Sequence, residues 1–404
     1  MNCDCGGRAS AGRATMSMLR GNAMVTFAEH SPESRNPLFS DNRIKIGTFG
    51  TNVSGGCAIS TADGTFETTW PNTVRTAEIA DRAGLEALVP VARWKGFGGE
   101  TNFNGTSFET YAWAAGLAGA TGHSAVFSTS HVPTVHPIVA AKQAATIDHI
   151  SGGRFALNVV TGWFAPEFDM FGTTMLEHDT RYEYAQEWLD VAKLLWTRED
   201  EFDFEGRFFH IKKGFAQPKP VQQPFPPIMN AGGSPAGQRW SARNSDMAFV
   251  TIVHQDYEGA RRQAGNLRDM ARNDYNRDLQ VWANTYMVCA PTEKEARDYL
   301  HHYVVEKGDD VAADNLMAEI GGSATIPEEF REAFRFHIKA GYAGYPLVGT
   351  PEQVIDEMTK LADAGINGLV ISWPRYEHDL QYFVDNVLPL MEQAGLRTPN
   401  KGAA

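Results

Sequence analysis

The chain has few of the features that mark membrane, secreted or nucleic-acid-binding proteins. No apolar run approaches the roughly eighteen residues of a membrane-spanning helix, so we expect no membrane association. Only four residues are cysteine, and Cys3 and Cys5 lack a zinc or redox spacing, which favours a reducing cytoplasm. The 36 Lys and Arg residues are outnumbered by 49 Asp and Glu residues. The resulting net charge of −13 predicts no nucleic-acid partner.

Several catalytic and nucleotide-binding motifs are also missing. Neither G-x-G-x-x-G nor G-x-x-x-x-G-K-[ST] occurs, which disfavours a dinucleotide-binding fold and a P-loop. There is no H-E-x-x-H helix and no paired-cysteine spacing, so we expect no metal site. No G-x-S-x-G elbow occurs, and nucleophilic catalysis therefore has no positive signal.

The composition is that of a globular protein, with 43% apolar, 21% charged and 11% aromatic residues. Short β-type runs alternate with segments of helical period from residue 43 onward. The predicted strands are 44–49, 86–90, 124–130, 155–161, 227–231, 246–252, 279–289 and 368–373. Eight such units predict an α/β fold, a closed (β/α)8 TIM barrel, with a helical insertion at about 291–345. We expect one domain at 41–398, after a flexible extension at 1–40 that is rich in Gly, Ala, Ser and Arg.

Helix boundaries support this order of elements. Asn72 is predicted to cap a helix that ends at Gly84, and Pro137 begins one that ends at Gly152. A helix is expected over 181–196, and Thr350 is the predicted cap of a helix that reaches residue 364. In such a barrel, functional side chains lie at the carboxyl ends of the strands.

Two strand ends carry polar residues in an apolar setting. Asn158 interrupts a buried strand, and its amide needs either a partner within the core or a ligand. Thr129, near the end of the third strand, allows the same two interpretations. The segment Gly232–Gly237 follows the fifth strand, where a phosphate cradle and a tight turn both fit. Histidines follow the third and fourth strands, where a general acid or base is expected, at positions 131, 136 and 178.

Several of these segments together resemble one enzyme family. They are NVSGG at 52–56, KQAATIDHISGGR at 142–154, NVVTGWF at 158–164 with Glu167, LEHDTRY at 176–182 and AGGS at 231–234. The chain resembles the bacterial luciferase-like flavin monooxygenases, in particular the branch that holds FMNH2-dependent dimethyl sulfone monooxygenases and pyrimidine oxygenases. That family also has a TIM barrel with an insertion.

The resemblance implies a role for each matching residue. FMN would be bound by Ala92, Arg93, Asn158, Glu167, Arg181, Tyr182 and Ser234, the last three at the phosphate. Thr129 and Asn158 would be the catalytic residues, at the reactive edge of the isoalloxazine. Arg93, Trp163 and His136 are candidates for the substrate pocket.

The implied activity is that of a two-component monooxygenase. Reduced FMN would come from a separate NAD(P)H-dependent reductase, and dioxygen would oxidise a small organic substrate with cleavage of a C–S or C–N bond. A dimethyl sulfone-type substrate is favoured, and a pyrimidine or cyclic amide is the alternative, because KGFGG at 95–99 resembles the pyrimidine oxygenases. A deazaflavin-dependent dehydrogenase and a non-catalytic flavin-binding protein are the other hypotheses. The resemblance also implies a homodimer or homotetramer.

Overall fold

A computed structural model describes residues 36–320 and 328–399 of the chain. Its main sheet is parallel, and β-type segments follow one another as the sequence predicts. The strands are β1 (Lys45–Phe49), β2 (Ala87–Val89), β3 (Ala125–His131), β4 (Phe155–Val160), β5 (Phe202–Glu205), β6 (His210–Gly214), β7 (Ile228–Asn230), β8 (Met247–Val250), β9 (Gln280–Cys289), β10 (Tyr345–Gly349) and β11 (Gly368–Ser372). Each of the eight predicted strands corresponds to one of them.

Eight of these strands close into a barrel. The order around it is β11-β1-β2-β3-β4-β7-β8-β9, and β9 pairs with β11 to complete the circle. In the β3–β4 pair, Thr129 is in register with Asn158. The predicted (β/α)8 TIM barrel is therefore confirmed.

Three of the described strands lie outside this circle, and none of them was predicted from the sequence. β5 and β6 form an antiparallel hairpin, and β10 pairs with the carboxyl half of β9, beyond the point where β8 ends. The two hairpin strands are short and largely exposed on one face, so they lack the continuous apolar run of a barrel strand.

Helices surround the barrel and form the insertion. The α-helices are α1 (Trp70–Arg82), α2 (Thr110–Ala120), α3 (Pro137–Ser151), α4 (Ala165–Phe171), α5 (His178–Thr197), α6 (Pro235–Asn244), α7 (Tyr257–Tyr275), α8 (Glu293–His301), α9 (Asp310–Glu319), α10 (Glu328–Gly341), α11 (Pro351–Asp363), α12 (Tyr376–Tyr382) and α13 (Leu388–Gln393). Single π-helical turns follow α8 and α12. Helices α8, α9 and α10 lie within the predicted insertion.

Most of the predicted helix boundaries are close to those observed. The first is wrong at its start, because Thr69 caps α1 and accepts a hydrogen bond from the backbone N–H of Asn72. Helix α5 begins three residues before the predicted position 181, since Glu177 caps it. The boundaries of α3 and the Thr350 cap of α11 are as predicted.

Alternate residues of each barrel strand face two different cores. Side chains such as Phe127, Ala156 and Trp282 form the core inside the barrel, while their neighbours pack against the helices. Thr129 and Asn158 each lie two residues beyond an interior residue of the same strand. Both side chains therefore face the barrel interior, at its carboxyl end.

The end of the predicted extension lies within the folded part of the chain. Residues 37–39 form a short 3-10 helix, and Leu38 is fully buried in the interior core at the amino end of the barrel. The Nε2 of Gln280 donates to the backbone oxygen of Leu38 at 3.0 Å. The prediction of flexibility is thus wrong for residues 36–40, and residues 1–35 lie outside the described residues. Among the described helices, none has the length and apolarity that crossing a membrane requires.

Candidate active site

The paired residues Thr129 and Asn158 form one wall of the site. The Thr129 hydroxyl donates to the backbone oxygen of Pro90 at 2.8 Å, and it accepts from Nδ2 of Asn158 at 3.2 Å. This chain of hydrogen bonds fixes the orientation of the Asn158 amide, because a hydroxyl has a single hydrogen to donate. Within the described part of the chain, the buried Oδ1 of Asn158 has no hydrogen-bond partner. A buried carbonyl oxygen in this state calls for a ligand donor.

The carboxylate of Glu167, in the segment after β4, accepts hydrogen bonds from the segment after β2. Its Oε1 accepts from Nη1 of Arg93 at 3.3 Å, from the backbone N–H of Trp94 at 2.7 Å and from that of Lys95 at 3.2 Å. Glu167 lies in the first turn of α4, where the helix dipole favours a negative charge. The predicted site residues Arg93 and Glu167 are therefore in direct contact.

The guanidinium of Arg93 is enclosed by aromatic rings. It lies 4.8 Å from the ring centre of Phe97, 5.1 Å from that of Trp163 and 5.3 Å from that of Phe164. The rings of Phe97 and Trp163 are nearly parallel, at 8°. Cation–π contacts of this kind stabilise a charge that is removed from water. Trp163 thus lies beside Arg93, next to the barrel mouth.

His131 is the histidine that the structure brings to this cluster. It ends β3, and its Nδ1 lies 3.5 Å from Oε2 of Glu167. Burial, and then the positive charge of Arg93, lowers the pKa of His131 to about 3. The imidazole is therefore neutral at physiological pH, and its contact with Glu167 is not an ion pair. Ala92 lines a small cavity together with His131 and Thr129.

His136 lies at the amino end of α3. Its Nδ1 accepts from the backbone N–H of Ile138 at 3.3 Å, so it caps α3, and its side chain is exposed. The ring lies edge-on to Phe209, at 5.7 Å between centroids. Among the described residues, His136 makes no hydrogen bond or ring contact with Arg93 or Glu167, and its place in a substrate pocket stays a prediction. His178 is likewise exposed, beside Asp179.

The amino end of α6 brings together two of the three predicted phosphate residues. Ser234 caps this helix, and its Oγ accepts from the backbone N–H of Gly237 at 3.1 Å. A Cβ at Gly237 would lie 2.5 Å from the Tyr182 hydroxyl and 2.7 Å from the Cα of Gly232. Tyr182 and Ser234 therefore meet at the first turn of α6, and the close approach there requires glycine. A Cβ at Gly233 would meet only open space.

Arg181 precedes Tyr182 on α5 but points toward another element. Its Nη1 donates to the backbone oxygen of Gly162, in the loop after β4. Its buried Nε has no hydrogen-bond partner among the described residues. The guanidinium therefore connects the NVVTGWF segment to the helix that carries Tyr182.

The model of one known protein family matches most of the length of the chain. The model of the luciferase-like monooxygenases matches residues 47–368. The chain belongs to the luciferase-like monooxygenase family. This agrees with the barrel, with the insertion, and with polar groups gathered at the carboxyl ends of β2, β3 and β4.

Curated relatives of this luciferase-like monooxygenase extend over nearly the whole chain. An FMNH2-dependent dimethylsulfone monooxygenase of Pseudomonas putida is 30% identical, over 87% of this chain and 96% of the relative. A pyrimidine monooxygenase, RutA of Acinetobacter baylyi, is 29% identical, over 86% of this chain and 95% of the relative. The solved structure of a long-chain alkane monooxygenase has a TM-score of 0.77 at 21% identity, over 89% of this chain and 94% of that one. At 21% identity, the similarity to the alkane monooxygenase structure shows only that the fold is shared.

Some residues at the mouth of this luciferase-like monooxygenase were not predicted. Tyr342 accepts a hydrogen bond from Nη2 of Arg93 at 3.1 Å, although the two residues are far apart in the sequence. Asn284 donates from Nδ2 to the backbone oxygen of Tyr342 at 2.9 Å. Asn284 interrupts the apolar strand β9 as Asn158 interrupts β4, so the same signal was present in the sequence. No local pattern marked Tyr342.

Proposed function

We propose that this chain is the oxygenase of a two-component FMNH2-dependent system. A separate NAD(P)H-dependent reductase in the cytoplasm would supply the reduced FMN, and a small organic substrate would be oxidised with cleavage of a C–S or C–N bond. The observation that carries the proposal is the cluster at the barrel mouth, in which Arg93 of the Arg93–Glu167 pair and Thr129 of the Thr129–Asn158 pair line the same small cavity. When bound, reduced FMN would supply the electrons that activate dioxygen.

The residues of the site fit the two ends of FMN. The unpartnered Oδ1 of Asn158 is an acceptor suited to an N–H group of the isoalloxazine. At the other end, the amino terminus of α6 offers backbone N–H groups and a positive dipole to a phosphate. The Ser234 oxygen already accepts from Gly237, which leaves its hydrogen free to donate. A site with an acceptor at one end and donors at the other matches this cofactor.

Arg181 and Tyr182 complete the proposed phosphate site. Tyr182 lies over the first turn of α6, and its hydroxyl is a donor of suitable type. Arg181 would supply the positive charge that backbone amides lack. Because the chain as a whole is acidic, an anionic cofactor needs such a local source of charge.

The aromatic side chains near Arg93 would keep water from the reacting groups. Phe97 and Phe164 are buried, and Trp163 is half-buried against them. A water-excluded pocket strengthens the hydrogen bonds within it and protects reactive species from hydrolysis. His131 contacts Glu167 and is neutral. A protonated imidazole at this position would add a second positive charge close to Arg93, which would be unfavourable.

Two substrate classes follow from the similarity to known enzymes. The relative at 30% identity acts on dimethyl sulfone, which agrees with the substrate favoured on sequence, and the relative at 29% acts on pyrimidines. A deazaflavin-dependent dehydrogenase is less well supported, because both relatives are monooxygenases and the first is FMNH2-dependent by name. We expect a homodimer or homotetramer, as the resemblance implies.

Stopped-flow spectroscopy tests the proposal directly. The protein is mixed with anaerobically reduced FMN and then with air-saturated buffer, in the presence and absence of dimethyl sulfone or uracil. We expect tight binding of reduced FMN, a reoxidation rate that differs from that of free FMN, and consumption of one of the two compounds. Reoxidation at the rate of free FMN, with neither compound consumed, would contradict the proposal.

A further inference from the structure

The insertion delivers one tyrosine into the mouth of the barrel. Tyr342 directly follows α10, and its partly buried ring packs against the interior core and against Phe103, with centroids 5.9 Å apart. Its hydroxyl oxygen accepts from Nη2 of Arg93 at 3.1 Å. Tyr342 and Glu167 therefore bind the same guanidinium, Tyr342 at Nη2 and Glu167 at Nη1.

The backbone at this point is strained, and the barrel itself holds it in place. Tyr342 and Ala343 have φ angles of 56° and 58°, and residues other than glycine rarely adopt this left-handed conformation. The Nδ2 of Asn284 donates to the backbone oxygen of Tyr342 at 2.9 Å. Asn284 lies two residues beyond Trp282 on β9 and therefore faces the barrel interior. Strain that is maintained by a buried side chain is typical of functional positions.

The hydrogen bond from Arg93 determines what the Tyr342 hydroxyl can do. Because one lone pair of the phenol oxygen faces the guanidinium, the hydroxyl hydrogen has to point away from it. Burial raises the pKa of Tyr342, although the charge of Arg93 acts in the opposite direction, so the phenol stays protonated at neutral pH. Among the residues that the structure describes, none accepts this hydrogen. The phenol is thus a donor at the barrel mouth.

We propose that Tyr342 is a specificity-determining residue that donates a hydrogen bond to an oxygen atom of the organic substrate. The inference rests on the proposed function and extends it. Sulfones and cyclic amides both carry such an acceptor oxygen, so Tyr342 serves either class. A site built around a hydrogen-bond donor discriminates against analogues that lack the acceptor. Asn284 is then a positioning residue, which acts through the backbone of Tyr342.

The variant Tyr342→Phe removes the hydroxyl and keeps the ring. Dissociation constants for FMN, dimethyl sulfone, uracil and dimethyl sulfide are measured by fluorescence titration, with KM and kcat for the compound that is turned over. We expect the dissociation constant and KM of the oxygen-bearing substrate to rise roughly tenfold, as the loss of one hydrogen bond implies. The affinity for FMN should change less than about twofold, and that for dimethyl sulfide, which has no oxygen, should not change.

A control on the same insertion separates this role from simple packing. Tyr303 is fully buried, and its hydroxyl donates to the backbone oxygen of Ala340 at 2.9 Å, away from Arg93. Tyr303→Phe should therefore leave substrate affinity unchanged, whereas Asn284→Ala should weaken it in the same direction as Tyr342→Phe.

Three outcomes in the variants would overturn the inference. They are an unchanged substrate affinity in Tyr342→Phe, an equal loss of FMN affinity, and an equal effect of Tyr303→Phe. Failure of the wild-type protein to bind either oxygen-bearing compound while it binds FMN also overturns the inference. Failure to bind FMN contradicts the proposed function instead, and the titrations with dimethyl sulfone and uracil still decide the role of Tyr342.

Discussion

The carboxylate oxygen Oε1 of Glu167 lies 3.3 Å from Nη1 of Arg93, and each side chain is only 3% exposed. The two residues come from segments that follow different strands of the barrel, β2 and β4. Their contact joins these segments below a layer of aromatic rings. Both charges are removed from water, so each depends on the other.

Glu167→Gln should therefore destabilise the protein strongly. The amide removes the negative charge and leaves the buried guanidinium of Arg93 uncompensated, which costs about 3–5 kcal/mol. Urea denaturation measures the free energy of unfolding. Glu183→Gln, which breaks an exposed ion pair with Arg207, is the control and should change it little. A similar small loss in both variants would contradict the importance of the buried pair.

Two substitutions at Ser234 should separate its capping role from its proposed phosphate contact. Ser234→Ala removes both, and it should lower stability by about 1 kcal/mol and weaken FMN binding by about 1–2 kcal/mol. Ser234→Asp keeps a good cap but places a negative charge at the proposed phosphate site. This variant should retain the stability of the wild type. It should lose FMN affinity more than tenfold, because the aspartate and the phosphate of FMN are both negatively charged and repel each other. Thermal denaturation and fluorescence titration measure the two effects, and normal FMN affinity of Ser234→Asp would place the phosphate elsewhere.

Asn158→Ala should reduce turnover more than flavin affinity. The substitution removes the amide that Thr129 holds at the barrel mouth, and a group that acts at the reacting edge affects kcat more than binding. Steady-state kinetics and FMN titration on the same preparation measure both quantities. An equal loss of the two would make Asn158 a cofactor contact only.

The stability of the protein should depend on pH through His131. The pKa of His131 in the folded state is about 3, below its ordinary value of 6.5, so the unfolded chain takes up a proton near pH 6.5 that the folded protein does not bind. The free energy of unfolding should fall by about 1 kcal/mol from this group between about pH 7 and about pH 5.5. The loss should continue toward about pH 3. His131→Asn cannot titrate, and urea denaturation at both pH values should show a smaller fall for this variant than for the wild type.

Neighbouring glycines in the loop after β2 offer a matched pair of substitutions. Gly98 and Gly99 have φ angles of 69° and 73°, so alanine at either position costs about 1–2 kcal/mol of backbone strain. A Cβ at Gly99 would also overlap Asp309 and lie 2.7 Å from the backbone nitrogen of Ala312, whereas a Cβ at Gly98 meets only a side-chain atom at 3.3 Å. Gly99→Ala should therefore be the more destabilising of the two in thermal denaturation. Equal losses would show that the loop is not held closely against α9.

The sequence predicted the features that depend on neighbouring residues. The period of the apolar residues predicted the eight barrel strands, and the boundaries of α3 and the Thr350 cap of α11 followed from local capping chemistry. The order of the elements was sufficient to predict the closed barrel. Functional side chains were expected at the carboxyl ends of the strands, and the family resemblance implied that Thr129 and Asn158 lie together there.

Contacts between distant segments were decided only by the tertiary structure. The path of the insertion brings Tyr342 to Arg93, and the course of the loops places His131 at Glu167 and leaves His136 as an exposed cap. Leu38 is buried at the amino end of the barrel because residues distant in the sequence surround it there. A local sequence pattern reports which face of an element is apolar, but not which distant segment covers it. These contacts exist because the closed barrel gathers the ends of eight strands into one small volume.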